Sequence, residues 1–413
     1  MRTALDGDLA VIFDRIGPYH FARLRALGQA VPTTAIEITA LDQTYGWDLV
    51  TGAEHFKRVT LFPAPEDSTK LNAEVSRRVR AALDQCRPAA VAVPGWSDPG
   101  ALSALQWCAE RRVPAIVMSD STEWDHPRVF WKEWIKRRLL RLASAALVAG
   151  TPHADYLKRL GMAPDQIFQG YDVVDNDYFA QGAREARQSG AQLREKHGLP
   201  ENYFLASARF VEKKNLPRLI EAYAKYRDRA TRHQPGSPAT GIWHLVLLGD
   251  GPLRADLRNQ VAALGLQNQV QMHGFQQYAE LPVYYGLARA FVLASTTEQW
   301  GLVINEAMAS DLPVLVSDRC GCAEDLVKDG VTGFRFDPAR PEQLAEIFSR
   351  CSEQAGELAG MGAEGKRLIG GWGLDCFVRG LTGAASRAVR HPGRPGSVID
   401  KLLIKMLLRR QAA

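Results

Sequence analysis

Short apolar runs recur along the chain, and most stop at a Gly, Pro or small polar residue before a longer stretch with helical spacing begins. The first, LAVIF at 9–13, precedes a loop through Gly17-Pro18 and a helix predicted from about Phe21. AVAV at 90–93 ends at Pro94-Gly95 and leads into a helix rich in Ala and Leu. Residues 115–118 end in the polar loop Ser119-Asp120-Ser121, and residues 145–148 end at Gly150-Thr151. Strand, loop and helix repeated in this order predict βαβ units around a parallel sheet. The pattern becomes irregular from about Asp175, and a polar segment covers 182–198. A second series then starts with FLAS at 204–207. It continues through 245–248 before Gly249-Asp250-Gly251, 270–272 before His273-Gly274, then 290–293 and 314–316. Two doubly wound domains are predicted, 1–185 and 186–370, with a helix over 371–390 returning to the first and a tail over 391–413. Ligands of such sheets bind beyond the carboxyl ends of the strands, so the loops there are where chemistry is expected.

Length and composition are consistent with this. A chain of 413 residues exceeds one ordinary core. Lys and Arg exceed Asp and Glu by 51 − 46 = 5, too small an average excess to argue for nucleic acid. The six cysteines are scattered, which predicts reduced thiols, and Cys320 with Cys322 lacks the second pair that a zinc site needs. The opening MRTALDGDLAVIFDRIG has no long apolar core of a signal peptide, and no run approaches the ~18 apolar residues of a membrane span. A cytoplasmic enzyme is expected, with any membrane contact peripheral.

The most informative segment is EQWGLVINEAMA at 298–309. It follows a strand, turns at Gly301 and continues in good helix formers. A helix opening there aims unpaired N–H groups and the positive end of its dipole at the strand-end cleft, a natural seat for a diphosphate. Glu298 lies just before that helix and Glu306 on its first turns, so both carboxylates can face one ligand and accept hydrogen bonds from ribose and sugar hydroxyls. Taken alone, the pair reads equally as two solvated helix-end glutamates. Arg209 and Lys214, on the loop after 204–207, change that balance, because two cations on one strand-end loop can clamp a diphosphate and neutralise a leaving group. Gly249-Asp250-Gly251-Pro252 and His273-Gly274-Phe275 are expected to line the same cleft, and Gly321 and Glu324 lie at another strand end.

These residues resemble glycosyltransferase family 4. Glu298 to Glu306 matches its E-x7-E signature and Arg209 with Lys214 its basic pair, while GDGP, HGF and DLPVLVSDRCGCAEDLV at 311–327 follow in order. The resemblance is strong over about 200–340 and architectural only in the N-terminal half. It implies a GT-B fold, two Rossmann-like domains facing a cleft, and retention of anomeric configuration in transfer of a hexosyl unit from a nucleotide sugar. It further implies that Arg209 and Lys214 hold the diphosphate, Glu306 the ribose and Glu298 the transferred sugar. Gly249, Gly274, Phe275, Trp300, Gly301, Leu302 and Val303 complete the donor-binding set. No metal and no other cofactor is expected. UDP is the expected nucleotide and GDP the alternative. Gln299-Trp300 replaces the commoner Gly-Phe, a departure expected to bear on sugar selection.

In the N-terminal half, Gly17 occupies the loop where the family often places glycines facing donor phosphates. Asp120 ends a strand where many relatives carry a histidine, so it is a candidate for orienting or deprotonating the acceptor hydroxyl; a loop-capping aspartate is the competing reading. His20 and Asp125 are weaker candidates. Asp175-Asn176-Asp177 reads as the metal-binding DxD of another glycosyltransferase fold, but turn use of Asn and Asp accounts for it. A nicotinamide dehydrogenase is disfavoured because no strand leads into a full G-x-G-x-x-G. A non-catalytic nucleotide-sugar-binding scaffold and a nucleotide-sugar epimerase remain as alternatives.

Two helices are basic and amphipathic. Over 130–142, Trp131, Trp134, Ile135, Leu139 and Leu142 share a face, with Lys132, Lys136, Arg137 and Arg141 largely on another. In the tail, Val398, Ile399, Leu402, Leu403, Met406 and Leu407 form a stripe beside Lys401, Lys405 and Arg409, and Pro392 and Pro395 are expected to detach it. Such helices suit an anionic membrane surface at the inner face of the membrane, and with it a glycan or lipid-linked acceptor.

Overall fold

The structure, a computed structural model, describes residues 7–40, 46–63, 72–233, 241–393 and 396–410. The chain packs as two compact units, Met1–Val174 with Trp372–Ala413, and Asp175–Gly371.

The first unit contains β1 (Leu9–Phe13), β2 (Thr33–Thr39), β3 (Lys57–Phe62), β4 (Ala90–Pro94), β5 (Ala115–Ser119), β6 (Ala145–Val148) and β7 (Ile167–Gln169). All pair in parallel in the order β3-β2-β1-β4-β5-β6-β7, so the winding reverses between β1 and β4. β1, β5 and β6 are buried throughout, as strands covered by helices on both faces must be. One face packs Leu102, Leu105 and Leu139. The other is covered by the helix Leu374–Arg390 through Phe377, Leu381 and Ala385. That helix lies so close to the sheet that a Cβ on Gly380 would collide with the Gln169 carbonyl oxygen.

The second unit contains β8 (Tyr203–Ser207), β9 (His244–Leu248), β10 (Val270–Gly274), β11 (Ala290–Leu293), β12 (Val314–Ser317) and β13 (Gly333–Phe336), parallel in the order β10-β9-β8-β11-β12-β13. Its winding reverses between β8 and β11, and Phe204, Tyr223, Tyr226 and Phe348 fill one side of its core. The two doubly wound parallel sheets are the GT-B architecture. The domain boundary expected near residue 185 falls instead between Val174 and Asp175. The reason is packing of the helix Asn176–Gln188: Tyr178 stacks on Tyr278 at 4.8 Å, and Gly286 leaves room for Ala183.

The tail is not detached. Gly393 donates its N–H to Ser144 Oγ at 2.7 Å, and the helix Val398–Arg410 buries Leu403 and Ile404 in the first unit's core. Pro395 lies outside the described residues, as does the side chain of Arg410.

Candidate functional site

In the second unit, the loops after β8, β11 and β12 converge on Glu298. β8 ends at Ser207, and the chain runs through Arg209 into a 3-10 turn, Glu212–Lys214. Asn215 closes the turn in the left-handed region, φ 57°, where Asn is among the residues that tolerate it. Its buried amide donates to the carbonyls of Ala294 at 3.0 Å and Pro338 at 2.9 Å, which ties the lysine-bearing turn to the end of β11. Thr296 N reinforces this by donating to Lys213 O at 2.9 Å. The outcome is an ion pair between Lys214 Nζ and Glu298 Oε2, with both side chains mostly buried. Ser295 Oγ donates to the same carboxylate oxygen at 3.1 Å.

The Glu298 backbone is fixed from the other side. Its N–H donates to Arg319 O at 3.0 Å, and its carbonyl accepts from Gly321 N at 3.0 Å. Cys320 and Cys322 line this loop as buried free thiols, and burial pushes the Cys320 thiol well up. Gly301 then starts the helix Leu302–Ala309 with φ 104°, a conformation other residues rarely adopt, and a Cβ there would lie 2.9 Å from Leu293 Cδ2. The N–H groups of Leu302 and Val303 begin that helix and have no carbonyl one turn back to bond, so they form its positive end.

Gly249 and Gly251 have a supporting task. A Cβ on Gly249, φ 122°, would collide with the Ala208 carbonyl oxygen, and one on Gly251 would meet the Phe210 backbone at 2.7 Å. The loop they form is sewn to the Arg209 loop by Ala208 N to Leu248 O at 3.0 Å and Phe210 N to Asp250 O at 2.8 Å. Gly249 is thus buried behind Arg209 and shapes its loop. Gly274, φ 77°, accepts from Gly249 N at 2.8 Å and presents Phe275 to solvent.

Two expected ligand contacts are placed differently. Trp300 is buried, its indole N–H donating to Asn305 Oδ1 at 2.9 Å, because a buried indole needs an acceptor. Glu306 is likewise fully buried and accepts from the Tyr285 hydroxyl at 2.5 Å. The two glutamates therefore do not share one open face. Tyr285, Ser295 and Asn215 complete the arrangement without belonging to the sequence motif. Only the Asn after the basic pair carries a signal, its suitability for a left-handed turn end.

In the first unit, Gly17 precedes the helix Pro18–Ala30 and accepts from Phe21 N at 2.9 Å, with open space where a side chain would stand. Asp120 follows β5 and keeps part of its surface accessible. Burial, with Asp172 nearby, pushes its carboxyl up to about 7. Asp172 itself pairs with the buried Arg23 at 3.5 Å, and Arg23 also donates to Val173 O at 2.9 Å. His20 packs on Phe13, ring centroids 4.3 Å apart, and burial lowers its value to about 3, so it is neutral. Asp125 accepts from Thr122 N at 2.8 Å and holds the loop after Asp120. Asp175 caps its helix, accepting from Tyr178 N at 3.1 Å, while Asn176 donates to Ile369 O at 2.8 Å. Among the described residues no group of three or more His, Cys, Asp or Glu is placed to hold a metal ion.

Residues 191–367 match the family described as Glycosyl transferases group 1. The chain is 29% identical over 248 residues to an alpha-D-kanosaminyltransferase of Streptomyces kanamyceticus, covering 58% of this chain and 61% of that one. It is 30% identical over 146 residues to an alpha-monoglucosyldiacylglycerol synthase of Acholeplasma laidlawii, covering 35% and 34%. The matches thus span less than two thirds of those relatives' own length. In fold it is similar to Anabaena HepE, solved with UDP and glucose, at a TM-score of 0.66 and 18% identity over 91% of this chain and 98% of that one.

Proposed function

We propose that the chain is a retaining glycosyltransferase that moves a hexosyl unit from a nucleotide sugar, a UDP-sugar first, to a glycan or lipid-linked acceptor, while peripherally associated with the cytoplasmic membrane face. The observation that carries this reading is the pairing of Lys214 with Glu298 beside the helix start at Gly301. A cation and a helix N-terminus suit a departing diphosphate, and the adjoining carboxylate suits the hydroxyls of the sugar attached to it. In the reaction the bond from the anomeric carbon to the diphosphate breaks, and the acceptor oxygen bonds to that carbon on the same face. Arg209 and Lys214 stabilise the charge left on the diphosphate, Glu298 orients the sugar, and Asp120 takes the acceptor's proton. A metal has no task in this scheme, because the cations supply the positive charge. For Glu306 to serve the ribose, the ligand must reach its buried carboxylate and share it with Tyr285. The relative named for making monoglucosyldiacylglycerol supports a lipid acceptor, and the fold neighbour solved with UDP supports the uridine donor.

The test is a thermal-shift series with UDP-, GDP- and ADP-sugars, followed by donor hydrolysis without acceptor. A donor at a hundredfold excess over its dissociation constant stabilises by about 2.7 kcal/mol, enough to rank the three. Stabilisation by one donor with release of free sugar supports the reading. Binding with no release under any acceptor defeats transfer, and isomerised donor makes the chain an epimerase.

A further inference from the structure

We propose that the helices Phe130–Leu140 and Val398–Arg410 form a single docking surface for an anionic lipid bilayer, which deepens the peripheral association proposed above and rests on it. Both helices bury one side in the same core, through Leu139, Leu140 and Ile404 with Ile135 and Leu407 against them. They are latched to each other: Arg138 Nε donates to Asp400 Oδ1 at 2.7 Å and Arg138 Nη2 to Ser397 Oγ at 2.8 Å. The tail is therefore built into the first unit, and both outward faces belong to one rigid surface.

Those faces hold most of the exposed apolar bulk. On the first helix Phe130 is 87% exposed, with Trp131 and Trp134 also open; on the second, Val398 is 73% and Leu402 62% exposed, with Ile399 and Met406 beside them. Among the described residues only Leu49, Phe275 and Val331 are comparably exposed elsewhere. The charges are sorted as well. Each helix has one acid, and both are turned inward: Glu133 is held by Lys136 at 3.0 Å and Tyr156 at 2.9 Å, and Asp400 by Arg138. The outward Lys132, Arg137, Arg141, Lys401, Lys405 and Arg409 are exposed and make no ion pair among the described residues.

This sorting selects the occupant. A nucleic acid would satisfy the cations and leave the Trp, Phe and Leu side chains in water. A second copy meeting this face through its own would set cation against cation. An anionic bilayer takes both, the cations at the headgroups and the apolar side chains below them, with Trp at the interface where its ring is half polar.

Co-sedimentation of the full chain with phosphatidylcholine vesicles, plain or mixed equally with phosphatidylglycerol, tests the surface. Trp131→Ala with Trp134→Ala, and separately Leu402→Glu with Met406→Glu, are each expected to lower partition onto the mixed vesicles about tenfold. Fluorescence quenching by brominated phosphatidylglycerol in the unmodified protein, absent in the double Trp variant, reads the same contact independently of any change in folding. Unchanged partition in either pair removes that helix and overturns the single surface. Equal binding to plain vesicles, or a lipid-free dimer that both pairs abolish, overturns the anionic bilayer as occupant. Donor-induced thermal shift is measured in parallel. Its absence with vesicle binding intact defeats the transferase reading and leaves the surface standing.

Discussion

At the strand ends of the first unit, Asp120 stands near Asp172, which pairs with the buried Arg23, and the neighbouring His20 is neutral. At the strand ends of the second unit, Arg209 and Lys214 stand with the helix start at Gly301, and Glu298 is held between a cation and a hydroxyl. The two sheets share a winding rule and a switch point, yet one end gathers carboxylates and the other cations. Topology places the loops where ligands of such sheets bind, and the side-chain charges carried there differ between the two units. A cationic end suits a diphosphate. An acidic end with one raised carboxyl suits a neutral hydroxyl that must lose a proton.

The largest expected effect separates sugar chemistry from phosphate binding within the second unit. Glu298→Gln keeps the shape of the side chain and removes its charge, so Lys214 loses its partner and remains free for phosphate. Turnover is expected to fall about 10²–10³-fold, the scale for losing one stabilising group at a reacting centre. Nucleoside diphosphate affinity, read by titration calorimetry, is expected to survive. Turnover at the unmodified level would remove Glu298 from the site, and loss of diphosphate binding would show that the two tasks are not divided as proposed.

The next effect lies at the acidic end and is read by pH. Asp120 has its carboxyl pushed up to about 7 by burial and by Asp172. A base must be ionised, so kcat/KM is expected to rise as pH passes through about 7. Stability runs the other way. A carboxyl raised in the folded state contributes stability that is fully present below its ordinary range and lost as pH rises through about 7. Asp120→Asn is expected to flatten both trends and lower kcat/KM about a hundredfold at pH 8, the low end for general-base loss. A pH inflection that persists in Asp120→Asn assigns the proton transfer elsewhere.

Legibility in the sequence follows the physics of each element. β1, β4, β5, β6, β8, β9, β11 and β12 are near-continuous apolar runs because helices cover both faces, and such runs stand out. β2 does not, since Thr33, Thr34, Glu37 and Thr39 break it. Glu37 is nonetheless fully buried, held by Arg58 at 2.9 Å, Thr60 at 2.9 Å and Ile16 N at 2.8 Å, partners that no local pattern announces. The same divide runs through the site. The motif residues Arg209, Lys214, Glu298 and Gly301 are legible, and so is the helix start. The inward turn of Trp300 and Glu306 depends on Asn305 and Tyr285, the latter 21 positions away, and is settled only by packing. For the tail, local prolines argue for detachment while Leu403, Ile404 and the latch to Arg138 decide the outcome.

The smallest expected effect concerns Asp175 and Asp177, where a metal-dependent reading would place the catalytic cation. In the structure Asp175 Oδ1 accepts from Tyr178 N at 3.1 Å as the cap of the helix Asn176–Gln188, and Asn176 is bound to Ile369 O. A carboxylate at a helix start is already satisfied by the N–H groups and the dipole there. Its removal costs the cap, about 1 kcal/mol, and no charge at the reacting centre. Asp175→Ala with Asp177→Ala is therefore expected to lower the melting temperature by a few degrees. Turnover should change less than about twofold, because Arg209, Lys214 and the Gly301 helix end supply the positive charge. Exhaustive chelation of the unmodified protein is expected to leave activity in place. Loss of activity on chelation, recovered with manganese and absent in the double variant, would move the diphosphate from the cations of the second unit to a metal on Asp175, and the contrast between the two strand ends would fall with it.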